Sequence, residues 1–393
     1  MIRVAAVVQR YGREIVGGSE TLARDVAERL SASGFDVTVF TTTAKDYVTW
    51  QNHFRPGESV LRGVTIRRFP VDRPRDIESF NRFSTEFFAE DPALRHEAKW
   101  IFEQGPFCPD LTAAIAREQD DFDVFLFFTY LYFPTVEGIP LIHRPVILFP
   151  TAHDEPPLYL AAMRPVFSRP ATLMFLTRAE QDLVARRFSP PGRSMLVRTG
   201  LDLTPAPDET AFRQRHSIYF PYLLYAGRIE RGKGLEAVFE HFATVRSRRL
   251  VELILIGKKL MDLPAQEGVR YLGYVSEEEK RAAFRGALCS VQPSPLESLS
   301  ITTLESFAQE TPVLVNRECA ALMEHVTLSH GGLAYSGGEE FVTAVDTFLH
   351  KRRERRAMGK GGLAYVRDHY SWPAVMATIG DEVRRLAEGG APS

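Results

Sequence analysis

Two carboxylates, Glu297 and Glu305, flank a stretch in which an apolar run over 287–291 gives way to a helical pattern at Ile301, Leu304 and Ala308. A strand, a loop bracketed by Pro293 and Pro295, and a helix start put backbone N–H groups above the strand end, where they favour an anion. The amides from Leu299 through Ser300, Ile301 and Thr302 are the ones so placed. Carboxylates next to a phosphate seat look wasteful unless they bind hydroxyls, and an ionised carboxylate accepts strong hydrogen bonds from sugar and ribose hydroxyls. Cations are close in sequence as well. After the apolar run 222–226 comes Gly227-Arg228-Ile229-Glu230-Arg231-Gly232-Lys233-Gly234, in which Arg228 offers a planar fork and Lys233 a point charge to a diphosphate. The competing reading is plain structure: Thr302-x-x-Glu305 as a capping box and two solvated loop cations. Ile301 already fits the apolar stripe, however, so the helix is expected to begin before Thr302, with Ser298 or Ser300 as its cap.

Several other chemistries are disfavoured. The loop 227–234 nearly spells a phosphate-binding G-x-x-x-x-G-K-[ST], but Gly234 offers no hydroxyl for a magnesium ion. Asp121-Phe122-Asp123 spells D-x-D, yet it directly precedes the strand 124–128 and reads as the end of a loop, so no metal site is assigned. His153, in the loop after the strand 146–149, stands at the carboxyl end of a parallel strand, where open α/β sheets bind ligands. It is either a structural hydrogen-bonder or a site residue, and its neighbours lack metal-ligand spacing. No pair of carboxylates of the glycosidase kind is evident.

The elements that must position these residues alternate. The strand 3–8 is followed by a loop, then Gly17-Gly18, then a helix with Ser19 as its cap and Leu22, Val26, Arg29 and Leu30 on its face, ended by Gly34. With the strand 36–42 this makes a βαβ unit. The dinucleotide fingerprint G-x-G-x-x-G is absent, and Gly17-Gly18 is read either as a tight turn or as a ligand contact. Strands are expected at 64–69, 124–128, 146–149, 172–176 and 195–198, and a helix over 178–188. Residues 205–217 read as a linker and short helix. The pattern then restarts with strands at 222–226, 253–256 and 269–272 and with Ser276 capping a helix from Glu277. Residues 319–326 and 331–333 read as connecting elements, and helices are expected over 339–349, 353–369 and 372–387.

At 393 residues, 45% hydrophobic and 25% charged, the chain suits two soluble domains, and a net charge of −2 gives no argument for nucleic acid. The cysteines Cys108, Cys289 and Cys319 are too few and scattered for a disulfide framework, and Cys289 reads as core. Without a signal peptide or a membrane-length apolar run, a cytoplasmic protein is expected, with peripheral attachment at the inner membrane face left open. Arg67, Arg68, Arg73, Arg75 and Arg82 interleave with Phe80, Phe83, Phe87 and Phe88, which is either a membrane-surface feature of the N-terminal domain or aromatic core beneath a charged face.

The pattern P-S-x-x-E-x-x-x-(I/L)-x-x-(L/I)-E over 293–305, with the trailing Pro312-Val313-Leu314-Val315, resembles the signature of retaining glycosyltransferases of family four, the group 1 glycosyl transferases. Gly17-Gly18-x-Glu20, Thr199-Gly200-Leu201-Asp202 and Gly227-Arg228-x-x-x-x-Lys233 are similar to further motifs of that family. Ser300 departs from it, standing where many members carry glycine. The resemblance implies an α/β GT-B fold: two Rossmann-like doubly wound parallel-sheet domains facing a cleft. It divides the chain into an acceptor-side domain 1–202, a nucleotide-sugar domain 203–370, and a terminal helix 371–393 packing back on the first. It also implies roles. Arg228 and Lys233 would bind the diphosphate, Glu297 the sugar hydroxyls and Glu305 the ribose. Gly17 and Gly18 would approach the donor phosphates, His153 would lie near the donor sugar, and the backbone at Tyr274 would hold the base. Beyond the donor substrate, a nucleoside diphosphate sugar with UDP ahead of GDP, no cofactor is implied; the partner is an acceptor hydroxyl. Two rivals remain, a nucleotide-sugar epimerase of the same fold and a non-catalytic nucleotide-sugar-binding protein. Donor sugar, acceptor and oligomeric state are left open.

Overall fold

The computed structural model describes residues 1–389; the last residues of the expected terminal segment, 390–393, lie outside the described residues. Two compact units divide the chain. The first holds Met1–Arg198 with the returning segment from Pro373, and the second is Thr199–Trp372. The divisions thus fall at Thr199 and after Trp372, beside the boundaries at 202 and 370 read from the sequence.

The first unit is an eight-stranded sheet of β1 (Arg3–Val7), β2 (Asp36–Thr42), β3 (Gly57–Leu61), β4 (Val64–Phe69), β5 (Val124–Phe128), β6 (Val146–Phe149), β7 (Thr172–Phe175) and β8 (Arg193–Leu196), in the order β3-β4-β2-β1-β5-β6-β7-β8. All neighbours are parallel except β3 and β4. β5 and β6 are buried along their whole length, which is why they read as unbroken apolar runs. The irregular 44–120 region contains β3 and the helices Ile77–Ala89, Glu97–Gln104 and Pro109–Arg117, which the sequence reading did not resolve. Phe80 and Phe87 are buried there, and Phe83 and Phe88 pack against them, so the aromatic run is core. The arginines beside it are engaged inside the unit. Arg67 pairs with Glu118, Arg75 donates to the Val48 and Gln104 carbonyls, and Arg73 pairs with Glu103. From Pro373 on, the helix Trp372–Glu388 belongs to this unit, where buried Glu382 accepts from Thr172 Oγ1 and from Arg193 Nη1, the latter at 2.8 Å.

The second unit is an all-parallel sheet of β9 (Tyr222–Ala226), β10 (Glu252–Ile256), β11 (Val269–Gly273), β12 (Cys289–Gln292), β13 (Val313–Asn316) and β14 (Gly332–Tyr335), ordered β11-β10-β9-β12-β13-β14. Two stretches read as connecting elements are regular: Ala320–Ser329 is a helix and Gly332–Tyr335 is the edge strand. Their short apolar runs show little periodicity of their own, and neighbouring strands supply the pairing. The strand order reverses between β1 and β5 in the first unit and between β9 and β12 in the second. Open α/β sheets bind ligands in the crevice beyond the strand ends at such reversals. None of the described helices is long and apolar enough to cross a membrane.

Candidate active site

β9 and β12 are parallel neighbours at the reversal of the second sheet, so the loops that leave them rise side by side. The loop after β9 carries Arg228 and Lys233, and the loop after β12 carries Glu297. Lys233 Nζ lies 2.7 Å from Glu297 Oε1, and each side chain keeps about a fifth of its surface exposed. Gly234 makes the approach of the two loops possible. Its φ of +73° is left-handed, and a β-carbon there would sit 2.6 Å from the Pro293 carbonyl oxygen. Arg228 Nη2 is 3.1 Å from Glu230 Oε1 and remains part-exposed.

The helix Ile301–Ala308 begins before Thr302, and Ser300 occupies its cap position. Ser300 does not act as a side-chain cap, which corrects the expected role. Its φ is +68°, and its hydroxyl lies 3.0 Å from Thr303 Oγ1 instead of meeting a backbone amide. A left-handed residue bearing a β-carbon costs roughly 1–2 kcal/mol, so the surrounding loop must enforce the turn. The turn leaves three successive N–H groups, of Ser300, Ile301 and Thr302, without an acceptor among the described residues. A left-handed residue leading into a helix forms a concavity of N–H dipoles suited to an anion. Leu299 is buried just before it.

Glu305 is not closing a capping box. Its Oε1 lies 2.8 Å from Lys280 Nζ, a residue that sequence reasoning missed because it sits mid-helix in Glu277–Gly286 with no motif around it. Burial pushes the Glu305 carboxyl up against the pull of Lys280. Burial alone would lower the Lys280 ammonium, but Glu305 and Glu277 outweigh it and hold its pKa above the ordinary value. Tyr274 follows Gly273 and leaves about two-thirds of its surface exposed. Ser276 caps the same helix, as read from the sequence, and Glu279 completes a capping box with it.

Gly17, Gly18 and His153 lie in the first unit. The helix there begins at Gly18 with Gly17 as its cap, so Ser19 does not cap it; the Ser19 hydroxyl donates to Glu20 Oε2 at 3.0 Å. Glu20 turns into the core and accepts from Arg10 Nε and Gln9 Nε2, both at 2.9 Å. A β-carbon at Gly17 would stand 2.2 Å from Glu20 Oε2, so a larger residue there would have to push that carboxylate aside. His153 Nδ1 lies 3.2 Å from Glu155 Oε1, which also accepts from the Tyr130 hydroxyl at 2.9 Å. Thr151, two residues earlier, is left-handed at φ +48°. The loop is anchored by buried Glu180, which accepts from the amides of Ala152 at 2.8 Å and Leu176 at 2.9 Å. Burial raises the Glu180 carboxyl to about 7, against those amides and His153. Asp123 of the D-x-D string accepts from the Arg3 backbone at 2.8 Å, a structural role, and no group of three or more metal-ligating side chains occurs among the described residues.

The structure therefore brings together, in one unit, the cations Arg228 and Lys233, three successive amides without an acceptor among the described residues, and the carboxylates Glu297 and Glu305, a set able to hold a phosphorylated, hydroxyl-rich ligand. Residues 208–364 match the model described as Glycosyl transferases group 1, and residues 17–200 match the one described as Glycosyl transferase 4-like domain. A D-inositol 3-phosphate glycosyltransferase of Pseudarthrobacter chlorophenolicus is 26% identical, over 79% of this chain and 76% of its own length. The enzyme of the same description from Streptosporangium roseum is 24% identical, over 93% and 87%. Among solved structures, the sucrose-phosphate synthase of Thermosynechococcus elongatus is similar with a TM-score of 0.75 at 17% identity, covering 99% of this chain and 100% of that one. Anabaena HepE in complex with UDP and glucose gives a TM-score of 0.71 at 15% identity, covering 98% and 100%. With both units matched by family models and the GT-B fold shared, this chain belongs to the group 1 glycosyltransferases of family four.

Proposed function

We propose that the protein moves a sugar from a nucleoside diphosphate sugar, a UDP-sugar ahead of a GDP-sugar, to an acceptor hydroxyl with retention of configuration. The carrying observation is the run of N–H groups at Ser300, Ile301 and Thr302, set at the sheet reversal beside Lys233 and between Glu297 and Glu305. As the glycosidic bond breaks, negative charge grows on the departing diphosphate. The amides, Lys233 and Arg228 stabilise it, an electrostatic role that needs no side-chain nucleophile. Glu305 accepts hydrogen bonds from the ribose, with Lys280 favouring its charged form against burial, and Glu297 accepts from hydroxyls of the transferred sugar. The acceptor hydroxyl attacks the anomeric carbon as the diphosphate leaves, and a donor phosphate oxygen takes up its proton on the same face. The HepE structures with UDP and with UDP-glucose support the choice of donor class, and the relatives described as D-inositol 3-phosphate glycosyltransferases support a polyol acceptor. Binding is proposed to need no divalent ion, since Arg228 and Lys233 supply the charge and Gly234 lacks the hydroxyl that a metal-bound phosphate loop uses.

A thermal-shift panel of nucleoside diphosphates and their sugars, with and without chelator, tests this reading, because a ligand specific to the native state must stabilise it. A raised melting temperature with UDP or GDP species that survives chelator is expected. No response to any nucleotide, or a response abolished by chelator and restored by magnesium or manganese, would overturn the corresponding part. An epimerase would instead alter the donor sugar with no acceptor present.

A further inference from the structure

One buried polar cluster outside the proposed contacts reaches the site directly. His325, in the helix Ala320–Ser329, is fully buried, and its Nε2 lies 2.6 Å from the Leu299 carbonyl oxygen. A carbonyl only accepts, so Nε2 must carry a proton, and in the neutral ring Nδ1 is then an acceptor. Nδ1 faces the hydroxyls of Tyr365 at 3.2 Å and Tyr370 at 3.4 Å, which are themselves 3.1 Å apart. Donation therefore runs one way, from the tyrosine hydroxyls into Nδ1 and from Nε2–H to Leu299. The Tyr370 carbonyl in turn accepts from the Leu201 amide at 2.8 Å, which ties the cluster to the segment where the chain enters this unit.

The orientation of one peptide plane is at stake. In a trans peptide the carbonyl and the following N–H point to opposite sides. Drawing the Leu299 carbonyl toward His325 turns the Ser300 N–H the other way, into line with those of Ile301 and Thr302. Ser300 is left-handed although it carries a β-carbon, so the local chain does not favour this turn by itself. A flipped Leu299–Ser300 peptide would present a carbonyl oxygen where the amide run now presents a donor. We propose that His325 is a positioning residue that locks this peptide with its N–H toward the donor diphosphate, and that Tyr365 and Tyr370 fix the tautomer it needs. The proposal rests on the reading that these amides meet the diphosphate.

His325→Phe keeps an aromatic ring but cannot donate, whereas His325→Gln can donate to Leu299 and accept from Tyr365. Binding of UDP and of uridine is measured by calorimetry, since uridine lacks the diphosphate. UDP affinity should fall about tenfold or more in His325→Phe, the loss of one hydrogen bond to a charged group, with uridine binding unchanged and most of the loss recovered in His325→Gln. Equal losses for UDP and uridine, or no rescue by glutamine, would overturn the proposal and leave His325 as packing only. If His325→Phe does not fold, Tyr370→Phe removes one hydroxyl alone; a selective loss of UDP over uridine supports the proposal and an unchanged UDP affinity overturns it. Native protein that binds neither ligand would overturn the donor-site reading itself, a result distinct from binding that is insensitive to His325.

Discussion

Glu297→Gln separates the two jobs assigned to this side chain. Glu297 holds Lys233 at 2.7 Å, and a diphosphate bound by that lysine competes with the carboxylate for it. Exposed ion pairs contribute about 0.2–1 kcal/mol and hydrogen bonds to charged groups about 1.5–3 kcal/mol. This pair, with about a fifth of each side chain exposed, falls near the junction of those ranges, at roughly 1 kcal/mol. Replacing the carboxylate by an amide weakens the competitor, so bare UDP should bind up to about fivefold more tightly, 1 kcal/mol converted at room temperature. Sugar transfer should nonetheless fall, because the amide is a poorer acceptor for sugar hydroxyls than the carboxylate. Lys233→Ala, by contrast, should weaken UDP by about 1.5–3 kcal/mol, or roughly ten- to 150-fold. Calorimetric titration of UDP into the three proteins, with donor turnover measured alongside, provides the comparison. If Glu297→Gln loses UDP affinity as Lys233→Ala does, the carboxylate is supporting the phosphate seat and the assignment to the sugar is wrong.

Other predictions follow from the same geometry. Lys280→Ala leaves Glu305 without its close cation; since Glu305 is partly exposed, the cost should be about 1–2 kcal/mol rather than the 3–5 of a fully buried broken pair, and both uridine and UDP should bind more weakly, as paired titrations would show. Glu180, raised to about 7 by burial, favours the protonated native state, so its stabilising contribution is complete below the ordinary glutamate range and is lost as pH rises through 7. Wild-type stability should therefore drop by up to about 3 kcal/mol relative to Glu180→Gln between pH 4.5 and 8, and denaturant melts showing the same difference between the two proteins at both ends would refute this. Gly234→Ala, whose methyl would meet the Pro293 carbonyl at 2.6 Å, should lower the melting temperature and UDP affinity together; a native-like melt would show that the two loops are free to separate.

Much of the scaffold was legible because its strands are buried on both faces and punctuated at their ends. β5, β6 and β9 stand out as apolar runs, and the helix Arg178–Phe188 forms over the residues read for it. The loops 227–234 and 293–300 could be placed by their glycines and prolines. What stayed hidden depends on contacts far apart in sequence. Lys280 finds Glu305, and His325 finds Leu299, only because segments from different crossovers pack together; nothing in the local pattern marks either residue. Glu20 was visible as part of a motif, but its inward turn onto Arg10 was not. Ser298 or Ser300 was expected to cap the helix, and Ser300 takes the cap position without a side-chain cap bond. Its left-handed backbone instead sends the hydroxyl toward Thr303, and backbone sign cannot be read from a residue that is usually right-handed. The helix Ile77–Ala89 escaped because its apolar face is built of aromatics, Phe80, Phe83, Phe87 and Phe88, interleaved with the charged Glu78, Arg82 and Glu86.

The central claim is that the amides of Ser300, Ile301 and Thr302 receive the donor diphosphate. Amide hydrogen exchange across 293–308, followed with and without UDP in the presence of chelator, addresses it most directly. These N–H groups have no acceptor among the described residues, so they should exchange quickly in the free protein and slow markedly on UDP binding, while uridine leaves Ser300 and Ile301 nearly as fast as before. UDP that binds with these amides still exchanging freely would contradict the account, whichever other residues it protects.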